Sequence, residues 1–184
     1  MEVSPIVLFL TTKVLSTEVF AVILGLIALH VCWKRGYLFA LAVAGSSLFL
    51  SLLVTGVKNL IKVERPAAAL VEISSYAFPS GHAAGAAFFA LMLEWYLRTC
   101  FKVRRLALMR MLLVGFVVGV GYSRLFLQVH TVEQVLAGCI VGTLVGGAFQ
   151  YSVFMLSKHD SDKLAWNYVS LVDFRVAVTI NRLS

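Results

Sequence analysis

The fold class this sequence predicts is all-α, an integral-membrane helical bundle of five to six transmembrane helices. Three observations predict it. Of 184 residues, 60% are hydrophobic and only 14% charged, whereas a soluble domain carries about 45–50% apolar and about 25% charged residues. The mean hydropathy is +0.91, so water is a poor solvent for this chain and a bilayer a good one. Apolar runs of about 20 residues, the length of helix that crosses a hydrocarbon core, recur along the sequence. Secreted disulfide scaffolds, disordered regulators and ordinary soluble enzymes are excluded on these grounds.

In chain order, Val3 to Ser16 is apolar but short, and fits an interfacial helix, a re-entrant piece or a sixth, tilted span equally. Five full-length spans follow at about Thr17 to Trp33, Tyr37 to Val57, Gly81 to Phe101, Leu106 to Tyr122 and Thr131 to Leu156. They make residues 1–157 one membrane-embedded domain. Residues 158–184 mix Asp160, Asp162, Lys163 and Arg175 with Trp166, Tyr168 and Phe174, a pattern that suits a membrane-surface tail. The start, Met-Glu-Val-Ser-Pro, lacks the basic region and small-residue cleavage site of a signal peptide, so it is expected to be retained.

The formal net charge is +7. Alternating the spans puts Lys34, Arg35, Arg98, Lys102, Arg104, Arg105 and Arg110 on one side with no acid nearby, which makes that side cytoplasmic. The charge therefore calls for no nucleic-acid partner. Cys32, Cys100 and Cys139 show no metal or redox spacing and read as buried thiols. Small residues at helical spacing, Gly81 and Gly85, Gly115 and Gly119, and Gly138, Gly142 and Gly146, favour close helix packing within the bundle, with a homodimer interface as the alternative.

The other face receives three polar motifs. The first is K-x6-R-P, from Lys58 to Pro66. If the second long span continues through it as helix, Lys58, Lys62 and Arg65 fall within about 60° and form one cationic stripe. Such cations can snorkel to lipid headgroups. A guanidinium fork beside an ammonium also matches a phosphate dianion. The second motif is P-S-G-H, Pro79 to His82, in which Ser80 is a candidate N-cap, Gly81 admits a ligand to the backbone, and the helix start offers an anion site. His82 would stand beside that anion. The third, S-R-x5-H-x3-Q, places Arg124 near His130, with Gln134 one turn later to hold one imidazole nitrogen and aim the other. His30 and His159 read as a packed or hydrogen-bonded residue and a solvated one.

In this order the three motifs resemble the signatures of the type 2 phosphatidic acid phosphatase superfamily, which includes glucose-6-phosphatase, dolichyl diphosphatase and the vanadium haloperoxidases. The resemblance covers about residues 58–134 in motif form and extends to about 156 in helical pattern. One departure is Gln134 where the family's third signature ends in Asp, a change that glucose-6-phosphatase and dolichyl diphosphatase share. The resemblance implies His130 as nucleophile, His82 as the acid that protonates the leaving oxygen, and Lys58, Arg65, Ser80, Gly81 and Arg124 as the phosphate cradle. It implies no cofactor. No metal is expected either, because the motifs lack a carboxylate cluster for magnesium or a third zinc ligand.

The implied substrate is a membrane lipid phosphate or diphosphate held in the bilayer, with undecaprenyl diphosphate in the lead. Phosphatidic acid, phosphatidylglycerol phosphate and lipid A phosphates are the alternatives. The implied location is a bacterial inner membrane, with the site facing the non-cytoplasmic side. A non-catalytic protein that binds anionic lipid, and a phosphotransferase using the same site, are the competing functions.

Overall fold

The computed structural model describes residues 17–71, 73–101 and 105–159. They form five helices: α1 (Thr17–Arg35), α2 (Tyr37–Ile61), α3 (Gly81–Phe101), α4 (Leu106–Phe126) and α5 (Val132–His159). The stretch Val3 to Ser16 and nearly all of the C-terminal tail lie outside these residues. Four of the helices, α1, α2, α4 and α5, are long and apolar enough to cross a membrane. The fifth expected span, α3, is 21 residues long but carries His82, Glu94 and Arg98. It tolerates them because other helices surround it.

That placement follows from composition. The first half of α3 is Gly- and Ala-rich, which lets neighbouring backbones approach, and Ala83, Ala84, Ala86, Phe88, Met92 and Trp95 are all buried. Helix α5 lies along it. A Cβ added at Gly138 or Gly142 would run into the backbone of Ser80 or Ala84, and one at Gly146 would come within 2.7 Å of Leu91. Gln150 Nε2 also donates to the Leu91 carbonyl at 3.1 Å. The third glycine set thus serves packing within the chain. Gly115 and Gly119 behave differently, since nothing lies within 4 Å of a Cβ at either position.

The outer faces of α1, α2, α4 and α5 carry Leu26, Leu29, Leu48, Leu52, Met111, Leu112, Leu136 and Leu144, each more than half exposed. Lipid is the solvent that makes such a surface stable. Cys32 is exposed on that belt rather than buried as its apolar surroundings implied, because an apolar face turned to lipid needs no cover; Cys100 and Cys139 are half-buried, and none of the three is in a disulfide. Hydroxyls inside the spans bond back to their own helix, as Ser46 Oγ does to the Ala42 carbonyl at 2.8 Å and Ser47 Oγ to that of Val43 at 2.7 Å.

The turns set which end each motif reaches. Gly36 alone separates α1 from α2, with φ at 99°, a conformation glycine adopts without strain. At the far end α2 stops at Ile61, where Lys62 turns left-handed (φ 52°) and donates its N–H to the Lys58 carbonyl. The expected cationic stripe is therefore absent. Lys62 is exposed, and Arg65 reaches inward from a non-helical segment.

The basic end also differs from expectation. Glu94 accepts from Arg98 at 3.2 Å and from Arg110 at 2.8 Å, so an acid does stand among those cations. His30 is held by the Tyr96 hydroxyl at 2.9 Å. Helix α5 runs on to His159, which therefore belongs to the helix rather than to the tail.

Candidate active site

The site lies at the end opposite Glu94, where the 62–80 and 127–131 connections meet the starts of α3 and α5. Backbone bonds join the two connections to each other, the first to itself, and the start of α3 to α5. Leu70 N donates to the Leu127 carbonyl at 3.0 Å, Ala77 N to that of Val63 at 2.8 Å, and Ser80 N to that of Gln134 at 3.0 Å. Residues more than fifty positions apart in sequence are thereby brought to one place.

His130 is 4% exposed, and its protonation is written in its neighbours. Gln134 Oε1 lies 3.0 Å from Nδ1 and accepts the Thr131 backbone N–H at 3.2 Å. A backbone N–H can only donate, so the Gln134 atom must be the carbonyl oxygen, and Nδ1 must carry the ring proton. Nε2 is left as a lone pair. Arg65 Nη1 faces it at 3.3 Å. Burial, reinforced by Arg65, Lys58 and Arg124, pushes the His130 pKa down to about 4, with the Gln134 bond pulling the other way. At neutral pH the imidazole is uncharged.

Arg65 is held by three further acceptors: its Nε donates to the Ser75 carbonyl at 2.9 Å, Nη1 to the Val129 carbonyl at 3.0 Å, and Nη2 to Ser75 Oγ at 3.1 Å. Burial lowers its pKa, but a guanidinium stays charged. Lys58 Nζ donates to the Tyr76 carbonyl at 2.8 Å. Neither cation meets a carboxylate among the described residues. Arg124, the largest buried polar side chain here at 2% exposure, has its Nε on Ser123 Oγ at 3.0 Å, and that hydroxyl in turn donates to the Val120 carbonyl at 2.7 Å.

The start of α3 completes the cluster. Ser80 does not cap the helix as its position suggested. Its carbonyl takes the Ala84 N–H at 3.0 Å, while its hydroxyl is fully buried with no hydrogen-bond partner among the described residues. An orphaned buried hydroxyl costs roughly 1–3 kcal/mol unless something accepts or donates to it. Gly81 adjoins Lys58, whose Cε would lie 3.9 Å from an added Cβ. His82 is within electrostatic reach of Arg124, His130, Lys58 and Glu18.

All eight residues expected from the motifs, Lys58, Arg65, Ser80, Gly81, His82, Arg124, His130 and Gln134, thus fall at this end of the bundle. Glu18, which belongs to no motif, lies near enough to this end to be felt electrostatically at His82. Among the described residues no group of three or more His, Cys, Asp or Glu could hold a metal ion. Beside Gly81 an apolar cavity of about 210 Å3 opens between α1, α2 and α3, lined by Phe20, Leu24, Leu50, Val54 and Gly85 among others.

Residues 33–158 match the PAP2 superfamily. The fold is similar to that of a solved transmembrane PAP2-type phosphatidylglycerolphosphate phosphatase from Bacillus subtilis, with a TM-score of 0.69 and 25% identity over 82% of this chain and 76% of that one. No curated protein matches the sequence.

Proposed function

From the premise that the chain belongs to the PAP2 superfamily and is an integral-membrane phosphatase, we propose that it hydrolyses a lipid phosphate through a phosphohistidine on His130. The observation that carries this reading is the tautomer of His130: a neutral ring with its Nε2 lone pair aimed at the cationic cluster.

A phosphate there would displace the Arg65 contact to Nε2 and take the guanidinium fork for its own oxygens. Lys58, Arg124, the Gly81 N–H and the orphaned Ser80 hydroxyl supply further donors. Phosphoryl transfer depends on positioning and on stabilising spread-out negative charge, which is what this set provides. His130 Nε2 then bonds to phosphorus as the bond to the leaving oxygen breaks, and the His82 N–H proton passes to that oxygen. In the second step a water gives its proton to His82 while its oxygen displaces the histidine, releasing phosphate and restoring both rings.

Two features support a lipid as the substrate. The site lies at the ends of the spans, where a lipid headgroup would sit, and the apolar cavity beside Gly81 would give the hydrocarbon portion a route between helices. On the positive-inside argument the site faces away from the cytoplasm. The undecaprenyl diphosphate expectation rests on resemblance alone. A second reading, a phosphatidylglycerol phosphate monoester, is favoured by the activity named for the solved neighbour.

The test is phosphate release in detergent from a panel of lipid monophosphates and diphosphates, with a chelator present. Hydrolysis that survives chelation and is blocked by vanadate is expected. Lipid binding without turnover would instead establish the non-catalytic reading, and transfer of label to an added lipid or sugar acceptor the phosphotransferase one.

A further inference from the structure

Arg65 is the cation in contact with the proposed nucleophile, its Nη1 standing 3.3 Å from His130 Nε2. It lies beyond the end of α2 at Ile61, so no helix fixes its backbone. A guanidinium on a long stem must then be aimed by what it touches. The residue that touches it most is Ser75, which belongs to none of the three motifs.

The Ser75 carbonyl accepts the Arg65 Nε proton at 2.9 Å, and the Ser75 hydroxyl accepts from Nη2 at 3.1 Å. Adjacent nitrogens on one edge of the guanidinium plane are thus bound to one residue. The Val129 carbonyl takes an N–H of Nη1 at 3.0 Å. A guanidinium has five N–H groups. These three bonds leave one on each terminal nitrogen: that of Nη1 faces His130 Nε2, and that of Nη2 has no acceptor among the described residues. Together they can take two oxygens of one phosphate beside the nucleophile. The neighbours of Ser75 anchor it for this task. The Tyr76 carbonyl holds Lys58 Nζ at 2.8 Å, and Ala77 N donates to the Val63 carbonyl at 2.8 Å, which ties the segment back to the one carrying Arg65.

We propose that Ser75 is a positioning residue for phosphoryl transfer: its carbonyl and hydroxyl grip one edge of the Arg65 guanidinium, so that the remaining N–H pair meets the phosphate next to His130 Nε2. This role rests on the phosphatase reading, with His130 as nucleophile and Arg65 in the phosphate cradle. Ser75 acts through Arg65 and exchanges no proton with substrate. A fork released on that edge keeps its charge but loses its preorganised aim, which matters most as charge spreads over the transferring group. Ser75 is exposed, and its carbonyl survives substitution, so loss of the hydroxyl should cost less than loss of Arg65.

The experiment is a double-mutant cycle in detergent on a lipid phosphate, with Ser75→Ala and Ser75→Thr made in the wild type and in Arg65→Lys. Lysine keeps the charge but offers no planar edge to grip. In the wild-type background Ser75→Ala should lower kcat about three- to tenfold, a part of the roughly hundredfold that deleting a whole donor costs. KM should stay within about twofold, because ground-state attraction depends on the charge that remains. Ser75→Thr retains the hydroxyl and should stay within about twofold of wild type in kcat. In Arg65→Lys the Ser75→Ala change should alter kcat by less than about twofold, since the two residues act as one unit. The same cycle read in vanadate affinity, by thermal shift, covers the case in which Arg65→Lys leaves too little turnover to measure.

An equal loss from Ser75→Ala in both backgrounds, a loss in Ser75→Thr as large as in Ser75→Ala, or full activity of Ser75→Ala overturns the proposal. Absence of phosphate release by the wild type would instead overturn the phosphatase reading itself, so the two failures are distinct.

Discussion

The two ends of this bundle both gather arginines, yet they treat them oppositely. At one end Glu94 pairs with both Arg98 and Arg110. The Arg110 pair ties α3 to α4, the Arg98 pair lies within α3, and the nearby His30 is closed off by Tyr96. At the other end Lys58 and Arg65 bond only to carbonyls, a hydroxyl and an imidazole among the described residues, and a buried serine hydroxyl has no partner. Desolvated cations held in place without a counter-charge are a binding arrangement, because an arriving anion supplies what the protein omits. Charge density alone does not separate a structural end from a catalytic one; what pairs with the charge does.

The comparison can be broken or sharpened by substitution. His130→Ala should have the largest effect, a loss of about a thousandfold or more in phosphate release, since it removes the nucleophile and not merely a donor. Arg65→Ala should cost about a hundredfold in kcat, the usual penalty for deleting one preorganised oxyanion donor. Retention of activity there would mean the uncompensated cations are not the phosphate cradle.

Gly138→Ala tests the scaffold behind the site. Its Cβ would be driven into the Ser80 carbonyl, and overpacking of this kind costs about 1–3 kcal/mol. A lowered unfolding temperature, together with reduced kcat, is the expected outcome.

Gln134→Asp should keep activity but move the acid limb of kcat/KM to higher pH by about one unit, because a carboxylate stabilises the imidazolium more than the Gln134 amide does. The sign follows from protonation: the charged ring has no lone pair on Nε2, so activity rises with pH through the His130 pKa, which lies near 4 in the wild type. Comparing variant with wild type on one substrate cancels the phosphate's own ionisation. Smallest of all, Arg110→Gln at the opposite end should leave kcat within about twofold, with its effect confined to stability and of the order of 1 kcal/mol or less for so exposed a pair.

Much of this was legible in the sequence, because motif spacing and apolar run length are local properties. Five long helices appear within about four residues of the bounds expected for the spans, four of them long and apolar enough to cross a membrane, and the eight motif residues fall at one end of the bundle. What escaped were features set by tertiary context. Lys62 leaves the expected stripe because α2 ends one residue earlier in a left-handed turn. The Ser80 hydroxyl is buried with no hydrogen-bond partner among the described residues and does not cap its own helix. Glu94 acts across the α3–α4 contact, which no spacing along the chain encodes, and Cys32 is exposed because lipid, not protein, covers it.

The most direct test of the account is to quench the enzyme during turnover of a lipid phosphate carrying a radioactive phosphoryl group, and to map the protein-bound label. The account predicts an acid-labile, alkali-stable phosphoryl group on residue 130, absent in His130→Ala along with turnover. Label on a different residue, or undiminished phosphate release by His130→Ala, would contradict it.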